Sequence, residues 1–420
     1  MKTAVISLLL FCNLSAVPLT LNDAIAMALK SHPQTQLALL RLQSTQADTQ
    51  AASAALYPRI DLNGEYYPTK TVVMPSNGTL STHQTDAFHA DVSGSYSLWD
   101  FGRNDHLIQA TKFAQEGSIA DKRSIENILI EQIWFQYTAI TYLNRLIETA
   151  QKSAEFYQAQ YAQAVQMREV GLKTHADESR FKASWLEADD RLSIARSERE
   201  KALMTLGLLV GNDNATEIDE ADFDHRTNTL AIAFEEKNAI RQELSLRNAQ
   251  LQKLQTLINR DKALSHASQK QPYGNVMLVG SYGYDSSLAS YDSSQIGIRG
   301  TIPLYDGGRL SAEAQKSRIS LSLAQKEYEN TEKMLWQELY GAMLDFHRYD
   351  ETIAAKEGVM TAMQKTLTLT QGRYTQGLAT YIDVLESQSV LENARVAHAD
   401  AKLQKIRAWL TVQRLLNKGN

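Results

Sequence analysis

The sequence predicts a mainly α-helical, internally duplicated chain that also carries membrane-type β-strands. Three observations predict it. First, one long unit occurs twice. Leu98-Trp99-Asp100-Phe101-Gly102-Arg103 returns as Leu304-Tyr305-Asp306-Gly307-Gly308-Arg309, and Gly171-Leu172-Lys173-Thr174 with Asp177 returns as Gly377-Leu378-Ala379-Thr380 with Asp383. The offset is shared: 309 − 103 = 206, 377 − 171 = 206 and 383 − 177 = 206. Chance similarity drifts in register, so a constant offset marks two copies of one unit much longer than a solenoid repeat. Second, there is no proline between Pro75 and Pro272 or after Pro303. Proline breaks helix interiors, so both stretches are free to form very long helices, and their Ala-, Gln-, Glu-, Leu-, Lys- and Arg-rich composition favours them. Third, each copy carries a pair of segments in which apolar and polar residues strictly alternate, the signature of strands with one apolar face.

The N-terminus comes first. Lys2 precedes an apolar run from Ala4 to Cys12, followed by Asn13-Leu14-Ser15-Ala16. This reads as a secretory signal over residues 1–16. Cys12 is the only cysteine, so the mature chain has no disulfide framework and no thiolate chemistry.

The first repeat is placed at residues 17–210. Its opening helix covers residues 21–56, capped by Asn22 or Asp23, with a local break at Pro33. A strand pair follows within residues 59–99. Ile60, Leu62, Gly64 and Tyr66 alternate with Asp61, Asn63 and Glu65; after a Thr-, Ser- and Asn-rich loop, Phe88, Ala90, Val92, Gly94, Tyr96 and Leu98 alternate with polar residues. A helix over 103–170 then runs roughly 100 Å at 1.5 Å per residue. Its stripe of Ile140, Leu143, Ile147, Ala150, Ala154, Tyr157, Tyr161 and Ala164 steps by threes and fours, as coiled-coil packing requires. A return helix covers 174–210. Residues 211–231 form an acidic connector that reads as solvated, with room for a short element.

The second repeat, residues 232–420, has an opening helix at about 234–267, a strand pair within 272–305, a long helix over 309–372 and a return helix over 380–416. Its stripe is Phe346, Tyr349, Ile353, Met360, Met363 and Leu367, interrupted by Lys356. Each return helix is about half as long as its outgoing partner, so the opening helices are expected to stack end to end with the return helices.

Strands of about ten residues with tyrosines near their ends and small polar residues on one face fit a membrane β-barrel. Four strands cannot close a barrel around a lumen, and an open sheet edge cannot sit in lipid. Several chains must therefore share one barrel, and three chains would give twelve strands. Soluble half-buried hairpins are the alternative. In the Asp-x-Gly-Arg turns, Gly102 and Gly308 permit the bend, Asp100 and Asp306 can satisfy the amides of the helix start, and Arg103 and Arg309 begin the helices.

Other chemistries find no support. The net charge of −5 gives no footprint for nucleic acid. No histidine pair stands at metal-ligand spacing with a nearby acid, and neither a phosphate-cradling Gly-Lys-Ser/Thr loop nor a nucleophile elbow occurs. No catalytic residue, metal site or cofactor is expected.

These residues resemble the TolC-like outer-membrane efflux proteins over nearly the whole chain after the signal. The resemblance rests on the duplication, the turns Trp99–Arg103 and Tyr305–Arg309, and above all the segment Tyr374-Thr375-Gln376-Gly377-Leu378-Ala379-Thr380-Tyr381-Ile382-Asp383-Val384-Leu385-Glu386. It implies a homotrimer whose twelve-stranded barrel crosses the outer membrane lipid of a Gram-negative bacterium. A long coiled-coil α-helical barrel hangs into the periplasm, with an equatorial girdle around it. It implies a passive exit duct for tripartite efflux or type I secretion, working with a periplasmic adaptor and an inner-membrane pump of the RND or ABC type. A periplasmic adaptor or structural coiled-coil protein is the competing reading.

The site residues follow. Asp383 and Glu386, three apart on a helix, share a face. At the tip of a trimer they would form rings of carboxylates that attract cations, with carboxyl pKa values raised by crowding. Asp177 is the matching acid of the first copy. A solvated helix face with ordinary acids is the alternative. The resemblance implies tip gating by Tyr374, which matches a latch tyrosine, and by Lys173; some members carry a basic residue where this chain has Ala379, and Lys173 occupies the equivalent place in the first copy. It also implies adaptor contact at Val170-Gly171-Leu172 and Gln376-Gly377-Leu378, where the glycines at least permit the turn.

Overall fold

The computed structural model describes residues 18–76, 78–211, 217–221, 223, 227, 230–232, 236–286 and 290–418. The expected signal lies outside them. The elements are α1 (Leu21–Ser31), α2 (Pro33–Ser53), β1 (Arg59–Ser76), β2 (Thr79–Trp99), α3 (Arg103–Glu169), α4 (His175–Val210), α5 (Lys237–Arg247), α6 (Ala249–Lys270), β3 (Asn275–Ser286), β4 (Ser290–Thr301), α7 (Arg309–Thr375) and α8 (Tyr381–Leu415). They gather into two compact units: Ala38–Lys122 with Ala249–Lys333, and the remainder of the chain.

The first of these units holds the sheet. Its order is β1-β2-β3-β4, antiparallel throughout. The β2–β3 ladder joins the two copies, with Gly94 opposite Gly280. The register puts Ile60, Gly94, Gly280 and Ile296 in one row, and Leu62, Val92 and Tyr282 in the next. Ile60, Leu62, Ile296 and Ile298 are each more than 70% exposed, so this apolar face has no cover among the described residues. The opposite face is hydrogen-bonded: Asn63 Nδ2 donates to Asp91 at 3.2 Å and to Ser93 at 3.1 Å, and Gln295 donates to Ser281 at 3.0 Å.

The first hairpin differs from expectation. β1 and β2 have 18 and 21 residues, and they continue through the stretch read as a polar loop. Thr71, Val72 and Val73 oppose Gln84, His83 and Thr82, because β-branched residues suit an extended backbone whatever their polarity. Ser76 opposes Thr79, and Asn77-Gly78 between them is the sequence signal for a two-residue hairpin turn. Pro68 lacks an N–H, and the ladder skips between Tyr67 and Lys70, as an edge strand allows. β4 ends at Thr301, before Pro303, so Ile302 and Leu304 lie outside the strand.

The opening helices are each broken. His32, ahead of Pro33, is extended with ψ 133°, as pre-proline residues prefer. The second opening helix, expected as one piece, breaks at Asn248 with ψ 120° and no proline. Tertiary partners explain it: Asn248 Nδ2 donates to the Leu415 carbonyl at 3.0 Å, much as Ser31 Oγ reaches the Val210 carbonyl at 2.9 Å. Each joint lies where an opening helix meets the end of a return helix. The repeat offset here is 248 − 32 = 216 rather than 206. The second hairpin accounts for the change, since 100 − 59 = 41 whereas 306 − 275 = 31.

The other unit is helical. Leu21, Ala24 and Ala28 of α1 pack with Leu129, Ile133, Tyr137 and Ile140 of α3, Leu203, Leu206 and Val210 of α4, and Ile406 and Leu410 of α8. The connector is less solvated than expected: Ile218 pairs with Leu19 and Phe223 joins this core. Tyr137, fully buried, accepts from the Asp219 amide at 2.9 Å and donates to the Leu19 carbonyl. Of the coiled-coil stripe, Ile140, Ala154, Tyr157, Ala164, Phe346 and Leu367 are buried, while Lys356 is exposed.

Candidate functional site

The helix tips are built by short-range rules. At the end of α3, Gly171 takes φ 77°. Its N–H donates to the Arg168 carbonyl at 2.9 Å, and Leu172 N–H donates to the Met167 carbonyl at 2.8 Å. The second copy repeats the motif: Gly377 takes φ 73°, with Gly377 N–H to Tyr374 at 3.0 Å and Leu378 N–H to Arg373 at 2.8 Å. These paired bonds close a helix C-terminus around a left-handed glycine. Each return helix then opens on a capping box. Thr174 caps α4 and Thr380 caps α8. The Thr380 N–H and hydroxyl donate to Asp383 Oδ2 at 2.7 and 2.8 Å, and Asp383 N–H donates back at 3.3 Å.

Asp177 and Asp383 thus have a structural task that spacing alone did not reveal. The Thr380 hydroxyl, then its amide, hold the Asp383 carboxyl below the usual carboxylate range. The Thr174 amide, then its hydroxyl, do the same for Asp177. Within the chain the direction is opposite to the upward shift expected from crowding, because the donors are local and the other acids of a ring would belong to other copies. Glu386 is exposed one helical turn beyond Asp383. Its counterpart in the first copy is Arg180 (386 − 206 = 180), so the two-acid face belongs to the second tip.

Tyr374 and Lys173, singled out separately, come together: Lys173 Nζ lies 5.7 Å from the Tyr374 ring centroid, within cation–π range. The two tips also share an apolar cluster of Ala164, Phe181 and Tyr381, with Tyr161, Tyr374 and Leu385 beside it. Burial pushes the Tyr381 phenol up to about 12. Outside this cluster, Val170, Leu172 and Leu378 are 70%, 73% and 64% exposed.

The strand-to-helix turns also have a defined mechanism. Asp100 accepts from Gly102 N–H at 3.0 Å and from Asn104 N–H at 2.7 Å; Asp306 accepts from Gly308 and Leu310 at 3.0 and 2.8 Å. Arg103 and Arg309 begin the helices. The bend needs two left-handed residues in a row, not the one expected: Phe101 (φ 59°) with Gly102, and Gly307 (φ 68°) with Gly308. Phe101 packs against Tyr273 with ring centroids 5.5 Å apart and planes tilted by 42°.

Among the described residues there is no cluster of metal-ligating side chains and no helix long and apolar enough to cross a membrane. An exposed apolar sheet face joined to capped helical hairpins, twice over, defines the class: a channel subunit with membrane β-strands. The family pattern of the outer membrane efflux proteins matches residues 24–212 and 240–418. The chain belongs to that family. It is 21% identical over 414 residues to Outer membrane protein TolC of Escherichia coli strain K12, covering 93% of this chain and 82% of that one. It is 21% identical over 420 residues to Alkaline protease secretion protein AprF of Pseudomonas aeruginosa, covering 96% and 85%. Among solved structures, CusC superposes with a TM-score of 0.82 at 18% identity over 94% and 91% of the two chains. VceC from Vibrio cholerae gives 0.81 at 20% over 94% and 95%. The protein is therefore an outer-membrane efflux channel of Gram-negative bacteria, a transporter and not an enzyme.

Proposed function

We propose that three copies of this chain close one twelve-stranded barrel, with β1 of each copy pairing β4 of the next, above a shared helical tunnel. The carrying observation is the four-stranded sheet, whose two outer edges have no partner strand among the described residues and whose apolar face is bare. The apolar face is unfavourable in water and suited to lipid, but the unpaired edges are not tolerable in lipid unless they meet, and closure puts the hydrogen-bonded face around water. The tips of the hairpins form the periplasmic mouth, lined by Asp383 and Glu386 with Asp177 beside them, and the Lys173–Tyr374 contact takes part in holding it shut. Val170, Gly171, Leu172, Gln376, Gly377 and Leu378 receive a periplasmic adaptor, which links the duct to an inner-membrane pump of the RND or ABC type. The exposed valine and leucines at the tips support this, since apolar residues at helix ends gain by being covered.

Native mass measurement of detergent-extracted outer membranes tests the assembly. A trimer is expected, and a monodisperse monomer would sink the reading. For the mouth, Asp383→Asn with Glu386→Gln should weaken block by a trivalent cation in planar bilayers by at least about tenfold, the loss of roughly 1.4 kcal/mol of attraction.

A further inference from the structure

The helical unit holds a charged network that the tips do not use, buried at Glu392 and open to water at Arg191, whose side chain is 53% exposed. Glu392 stands on α8, nine residues past Asp383 (392 − 383 = 9), or about 14 Å along the helix. Its side chain keeps 14% of its surface. One oxygen accepts from the Ser153 hydroxyl of α3 and from Gln388 Nε2 at 3.0 Å. The other lies 3.7 Å from the Arg191 guanidinium of α4. Ser153 and Gln388 are themselves 2% and 5% exposed. Apolar packing surrounds the network: Ala154, Tyr157, Ala188 and Leu192, with Trp185 and Leu385 alongside. Burial there, and next the Glu392 charge, push the Tyr157 phenol far above its ordinary range.

A carboxylate taken out of water is costly unless its oxygens find donors. Here the Ser153 hydroxyl of α3 and the Gln388 amide of α8 donate to it, and the Arg191 charge of α4 lies beside it, all in one register. Sliding α8 by one turn would carry Glu392 away from Ser153 and Arg191 and leave an ionised group unpaired among apolar side chains. Apolar packing alone is non-directional and sets no such penalty, whereas a buried polar contact can fix the register of a coiled coil. The repeat does not impose the network. At the offset of 206, Ser153 and Arg191 correspond to Val359 and Ala397, and Gln388 and Glu392 to Lys182 and Leu186. It is built at one of two equivalent places.

We propose that Glu392 is a positioning residue whose network with Ser153, Gln388 and Arg191 locks α8 in register against α3 and α4, holding Asp383 and Glu386 at the height where they line the mouth. The inference rests on the mouth reading given above. Purified full-length channels in planar bilayers test it. Glu392→Ala should raise resting conductance several-fold and weaken block by lanthanum(III) at least about tenfold, in channels that remain trimeric. Glu392→Gln keeps an acceptor for the Ser153 hydroxyl and should restore both to within about twofold. A Ser153→Cys and Gln388→Cys pair, added to a chain whose sole native cysteine is Cys12, should hold conductance at the resting value when oxidised and release it on reduction. Glu392→Ala channels that conduct and block like the parent, or an oxidised pair that conducts like the reduced one, overturn the lock. The double neutralisation of Asp383 and Glu386 separates the two claims. Unchanged block in that variant overturns the mouth reading and the lock with it; lost block there beside an unaffected Glu392→Ala overturns the lock alone.

Discussion

The two hairpin tips share a backbone and differ in what lies between their helices. Both close on a left-handed glycine and reopen on a Thr-Asp capping box. In the first tip, Arg168 of α3 reaches Glu178 of α4 at 3.1 Å. The equivalent positions of the second tip are Tyr374 and Val384 (168 + 206 = 374; 178 + 206 = 384). Val384 is 1% exposed and packs with Leu367 and Leu391. The turn chemistry is common because the backbone geometry demands it. The clamp between the helices was free to diverge, and it is ionic in one copy and apolar in the other.

The largest effect that would break this comparison is at the apolar clamp. Val384→Ala should destabilise the second tip by about 2 kcal/mol through lost burial and the cavity left behind. Hydrogen exchange should show amides of α7 and α8 near the tip opening more often, with no dependence on salt. Smaller, and equal in the two tips, is loss of the cap: Thr174→Ala and Thr380→Ala should each cost about 1 kcal/mol, read as faster exchange in the first turn of α4 or α8. The caps also carry a pH signature. Asp177 and Asp383 have folded pKa values below their unfolded ones. Their contribution is therefore complete above the unfolded value of about 3.9 and is lost as pH falls through the folded value. Both tips should fray together below about pH 4, and unequal fraying would show that one acid is engaged elsewhere. The smallest effect belongs to the ionic clamp. Glu178→Gln should cost less than about 1 kcal/mol, and added salt should loosen the parent's first tip while leaving the second unchanged. A salt-insensitive first tip would mean that the ion pair contributes nothing.

Much of the fold was legible because the signals were local. Gly171, Gly377, Gly102 and Gly308 stand where the chain must turn left-handed, and Pro33 marks a break that any pre-proline residue would make. The first hairpin outruns its predicted strands because its polar residues mask a β-branched backbone preference, although Asn77-Gly78 carries the turn signal. The break at Asn248 had no such cue, since it depends on a carbonyl 167 residues away, on α8. The candidate site divides in the same way. Asp383 and Asp177 stand out in the sequence as paired acids, while their capping role is carried by the Thr-x-x-Asp spacing in each copy. Phe101 hid its left-handed backbone behind a bulky side chain, and Gly307 in the other copy was the clue.

By itself the sequence determined the duplication, the order of strands and helices and the turns, because each depends on residues within a few positions of one another or on a constant offset; the cap of α1 fell to Thr20 and not to Asn22 or Asp23. Tertiary structure alone decided that Lys173 faces Tyr374, that Arg168 meets Glu178, and that Ser153, Arg191 and Glu392 converge. Those contacts join helices through the axial register of one against another. Many apolar patterns satisfy several registers equally, so only the packed chain selects one.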